Sequence, residues 1–88
     1  MFSLNSNFNR WYSATSFTKV IDNGDVYLLV GVRSYEYLPA IYVVTNIANG
    51  IYFWKVQDEN SLFSLSKDGV TLSVTVNASY VLSRMLKL

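Results

Sequence analysis

The chain contains no cysteine and no histidine. Disulfides cannot form, and the nucleophilic triads and common zinc sites that need His or Cys are ruled out. Charge is scarce as well, at 15% of residues, against about 25% in an average domain. The seven Lys and Arg are scattered and the net charge is only +1. Nucleic-acid binding needs clustered cations that displace counterions, so no nucleic-acid partner is expected. No Gly-rich phosphate loop is present. No apolar run reaches the roughly 18 residues that would span a membrane, and no membrane insertion is expected. The opening MFSLNSNFNRWYS lacks the basic lead and continuous apolar core of a signal peptide. Together these gaps predict a protein that is not an enzyme and takes no cofactor and no metal.

The carboxylates are Asp22, Asp25, Glu36, Asp58, Glu59 and Asp68. A pair of acids could serve glycoside hydrolysis. Five of these six fall in predicted turns, however, where Asp favours local backbone hydrogen bonds. They are read as solvated turn residues. Asp22-Asn23-Gly24-Asp25 resembles part of a calcium loop but lacks its alternating ligands and distal Glu, so it reads as a hairpin turn. Asn77-Ala78-Ser79 matches a glycosylation sequon and reads as a turn.

What the chain does have is apolar residues, 51% of 88. A single domain this short buries only about 60–65% of its unfolded surface. The surplus predicts a subunit interface, because a bare apolar patch invites aggregation. Val70, Leu72, Val74 and Val76 alternate with Thr71, Ser73 and Thr75, a period of two that means strand. Asp68-Gly69 before this run and Asn77-Ala78-Ser79 after it are turn chemistries. The stretch 62–88 therefore reads as a three-strand meander. Upstream, strands are predicted at 17–21, 26–33, 40–47 and 51–57, with Asn49-Gly50 as another hairpin signal. Both faces of 26–33 are apolar, so that strand should be central and covered on both sides. Gly31 within it suggests a bulge or a close backbone approach.

The expected fold is all-β: a small antiparallel β-sandwich of about seven strands at 17–88. Residues 1–16 form an extended lead-in whose Trp11 and Tyr12 should dock on the sheet. Tyr27, Tyr42 and Tyr52 would line one face if their strands are neighbours, as core or interface packing or as a sugar-stacking platform beside Trp54. The connection Ser34–Pro39 is longer than a hairpin needs and holds two tyrosines and a carboxylate. Arg33, Tyr35, Glu36 and Tyr37 are accordingly the candidate receptor-binding cluster, since tyrosine offers a flat apolar face, a hydroxyl and low ordering cost.

FSLSKDGVTLSVTV followed by NASYVLSRMLKL resembles the C-terminal ends of phage tail-fibre heads, and VYLLVGVRSYEYLPAIYVVTN resembles their paired apolar strands. The resemblance implies a homotrimeric virion protein, made in the host cytoplasm and released by lysis. It also implies host attachment through receptor binding to a surface glycan or protein. It carries over no binding residue, and the long fibrous shaft of those proteins is missing here. A structural virion or assembly protein and a monomeric carbohydrate-binding module are the alternatives.

Overall fold

Period-two apolar patterns make the strands, and residues that accept a left-handed backbone end them. In this computed structural model, which describes residues 12–13, 16–33 and 38–88, no helix occurs among the described residues. The strands are β1 (Tyr12–Ser13), β2 (Phe17–Val20), β3 (Val26–Arg33), β4 (Ala40–Ile47), β5 (Gly50–Gln57), β6 (Phe63–Asp68), β7 (Thr71–Val76) and β8 (Val81–Lys87). They form a five-stranded sheet, β1-β8-β3-β4-β5, and a three-stranded sheet, β2-β7-β6. All pairings are antiparallel. The seven expected strands are β2 to β8. The lead-in adds β1, where Tyr12 pairs with Ser83; Trp11 lies outside the described residues.

Two hairpins close with two residues each. Ala48 and Asn49 have φ of 53° and 61° between Ile47 and Gly50, as a type I′ turn requires. Gly69, at φ 59°, opens the turn from Asp68 to Thr71.

The sheets pack face to face around Leu29, Val44, Ile51, Leu72, Val74, Val81 and Met85, all essentially inaccessible. Burying each such side chain is worth about 1.5–3 kcal/mol. Phe63 of the smaller sheet stacks edge-on to Tyr42 at 6.2 Å. The edge of its ring also abuts Gly31, where any Cβ would overlap it. The glycine therefore marks a close approach between sheets.

Four expectations about the fold are corrected. The end of the chain is not a three-strand meander, because only β6 and β7 pair in that way. Residues 77–80 carry the chain to the other sheet, where β8 lies between β1 and β3. Alternation in β8 set its faces but not its neighbour. Its Met85 opposes Leu29, which fills the core beside β3 better than a third place in the small sheet would.

The turn at Asp22–Asp25 is real, with Asp25 N–H donating to the Asp22 carbonyl at 3.0 Å. It joins strands of different sheets and is no hairpin. Strand β3 is central but covered on one side only. Tyr27 and Leu29 point into the core, while Val26, Leu28, Val30 and Val32 stay half-buried on the outer face of the large sheet. Nor do the tyrosines share a face. Tyr27 and Tyr42 are buried inward, whereas Tyr52 pairs with Thr45 and is 49% exposed on the outer face beside Trp54.

Candidate functional site

Strand directions sort the connections between two ends of the sandwich. One end holds the crossing at 21–25 and the two tight hairpin turns. The other, the open end, holds the connections at 34–39, 58–62 and 77–80. Of the candidate cluster, Tyr35, Glu36 and Tyr37 lie outside the described residues. Arg33 closes β3 at the open end, half-buried, and its Nε donates to the Ser79 carbonyl at 3.0 Å.

Arg33 thereby braces one wall of an open hollow of about 620 Å³, lined also by Asn60, Val76, Asn77, Ala78 and Ser79. Asn77 is held in place by its neighbours. Its Nδ2 donates to the Ser61 carbonyl at 3.1 Å and to Ser64 Oγ at 2.8 Å, while its backbone N–H meets the Leu62 carbonyl at 2.9 Å. Just beyond the hollow, Tyr80 is 70% exposed and sits at φ 61°. Left-handed backbone is costly for a bulky side chain, and such outliers concentrate where function constrains the chain.

A buried carboxylate ties the open end together beneath these loops. Asp58 is 6% exposed, which corrects its reading as a solvated turn residue. Its Oδ1 accepts from Leu62 N–H at 2.8 Å, and its Oδ2 accepts from Phe63 N–H at 3.2 Å and from the Tyr42 hydroxyl at 2.5 Å. Burial pushes the Tyr42 phenol well above its ordinary pKa, and the hydrogen bond to Asp58 and that carboxylate's charge push the same way. Elsewhere at this end, Gln57 Nε2 donates to the Pro39 carbonyl at 2.7 Å, just before β4 begins.

The hollow thus gathers a guanidinium, two amides and a hydroxyl over small apolar walls. Among the described residues no three His, Cys, Asp or Glu side chains are grouped to hold a metal. Sequence reasoning singled out Arg33 and missed Asn60, Asn77, Ser79 and Tyr80. Their stretches were visible as polar turns, but nothing local shows that positions 33, 60 and 77 converge. No family model matches the chain, and no curated protein and no solved structure matches it.

Proposed function

We propose that the chain is a non-enzymatic recognition head of a viral (phage) fibre or appendage, which presents the open end to a host-surface receptor such as a glycan. The observation that carries this reading is the hollow formed by Arg33, Asn60, Asn77 and Ser79. Sugar hydroxyls both donate and accept, so amide, hydroxyl and guanidinium groups suit them. Tyr80 adds an exposed ring of the kind that stacks on a sugar face. Tyr35, Glu36 and Tyr37 follow Arg33 in the chain and complete the proposed contact set. Copies joined in an oligomer would repeat the site and add avidity.

The apolar outer face of the large sheet favours a second reading, a structural virion or assembly protein without a receptor role. Tyr52, Trp54 and Val56 are 49%, 53% and 62% exposed there. A glycan array separates the two. The recognition reading expects specific signals that fall roughly tenfold or more in Arg33→Ala, the worth of one charged hydrogen bond, and several-fold in Ser79→Ala, the worth of a neutral one, with melting little changed in Ser79→Ala. An array without signal from a protein that still self-associates supports the assembly reading.

A further inference from the structure

Strand β5 is the last strand of the five-stranded sheet and, among the described residues, pairs only with β4. Its register decides which backbone groups face outward. Ile47 and Gly50 flank the two-residue turn as a hydrogen-bonded pair, so Tyr52 and Trp54 also bond to β4. The N–H and C=O groups of Ile51, Phe53 and Lys55 therefore point away from the sheet. Ile51 confirms this parity, because its carbonyl accepts from Lys67 Nζ at 2.6 Å. The same ammonium lies 5.0 Å from the centre of the Tyr52 ring. Lys67 thus closes one stretch of the edge and leaves the backbone groups of Phe53 and Lys55 beyond it.

We propose that this edge joins two copies of the chain, β5 against β5 in antiparallel register, with Trp54 on the two-fold axis. Three registers would match outward groups to outward groups near these residues. Pairing Lys55 with Lys55 sets like charges opposite each other, which is destabilising. Pairing Phe53 with Phe53 sets Lys55 against Ile51, whose carbonyl Lys67 already occupies. The remaining register pairs Phe53 with Lys55 twice. It makes four main-chain hydrogen bonds, lays each lysine stem along a phenylalanine, sets Trp54 against Trp54, and brings Tyr52 to Val56, the extra residue where the β4 register shifts.

All three residues brought together on the outer face are among the exposed large apolar side chains. Half-exposed Tyr52 and Trp54 each contribute roughly 100 Å² to cover, given about 150–250 Å² for a buried aromatic. With Val56 and the backbone, the interface falls at the small end, below about 800 Å² per partner. The dimer should be reversible and concentration-dependent. It does not depend on the hollow, and its two-fold symmetry makes the dimer, rather than the trimer expected from the resemblance, the unit of assembly.

The chain's lack of cysteine makes the register directly testable. Across the two-fold, residues at position 54 form a non-hydrogen-bonded pair with Cα atoms about 4.5 Å apart, within disulfide reach. Under mild oxidation Trp54→Cys should cross-link to a species of twice the 10.0 kDa chain mass. Tyr52→Cys and Val56→Cys should each stay single, yet cross-link when mixed. Independently, Lys55→Pro removes one edge donor without touching the β4 ladder, a place where edge strands tolerate proline. It should sediment as a monomer with its β circular dichroism intact, where the wild type shifts to dimer as concentration rises. The proposal is overturned by a wild type that stays monomeric from micromolar to millimolar concentration, or that sediments as a trimer. A dimer unchanged by Lys55→Pro, or cross-linking as fast at position 52 as at 54, overturns it too.

Discussion

The two ends of the sandwich solve the same problem with different residues. At the tight end, left-handed backbone falls on Gly24, Gly69, Asn49 and one alanine, Ala48. At the open end it falls on Ser61 and Tyr80. Glycine and asparagine take that conformation at little cost, whereas tyrosine does not. The tight end combines backbone ties, Ile21 N–H to the Val70 carbonyl, Gly24 N–H to the Asn46 carbonyl and Leu88 N–H to the Val26 carbonyl, with side chains that reach backbone carbonyls, Asn46 Nδ2 to Ile21 and Thr45 Oγ1 to Asp25. The open end depends on side chains, namely Asp58, Arg33, Gln57 and Asn77. One end is built for closure. The other spends stability to hold particular side chains in place, which is where a binding surface is expected.

The largest effect that would break this contrast is at Asp58. Asp58→Ala leaves the N–H groups of Leu62 and Phe63 and the Tyr42 hydroxyl buried without their acceptor. It should cost about 3–5 kcal/mol in urea unfolding, given roughly 1–3 kcal/mol for each unsatisfied group. A loss below about 1 kcal/mol would mean that the open end is not held by this carboxylate.

Alkaline pH probes the same knot. The folded pKa of Tyr42 lies above its ordinary 10.0, so the folded state keeps a proton that the unfolded chain releases. The stability linked to it is intact below pH 10 and is lost as pH rises toward the folded value. Tyr27, also raised mainly by burial, adds to the loss. Each contributes a slope of up to about 1.4 kcal/mol per pH unit. Urea unfolding across the alkaline range should show a shallower decline in Tyr42→Phe than in the wild type.

A smaller effect is expected at the tight end. Ala48→Gly removes the Cβ penalty of a left-handed residue and should raise stability by about 0.5–1 kcal/mol, net of the greater freedom of glycine in the unfolded chain. Binding should not change, since position 48 lies at the far end from the hollow.

The same contrast explains what could be read from the sequence. The strands from β2 to β8 were legible because alternation is local, and the hairpin turns were legible because Gly69 and Asn49 announce them. Sheet membership was not. β8 shows two usable faces, and the choice between β7 and β3 as its neighbour depends on packing Met85 against Leu29 across more than fifty residues of chain. The open end was hardest to read, because its bonds join Arg33 to Ser79 and Tyr42 to Asp58. Nothing around Asp58 marks it as buried rather than as one more turn acid. Tyr80 lies in the connection before β8, and its left-handed backbone has no signature in the sequence.

The central claim is that the open end trades stability for recognition, and Tyr80→Gly tests it most directly. Melting temperature and glycan-array binding are measured on the same preparation as the wild type. The account predicts that the variant melts higher, as relief of a left-handed tyrosine should allow, and that glycan signals present in the wild type disappear. A variant that melts higher and binds the same glycans with equal strength would contradict it, leaving Tyr80 as strain without a use.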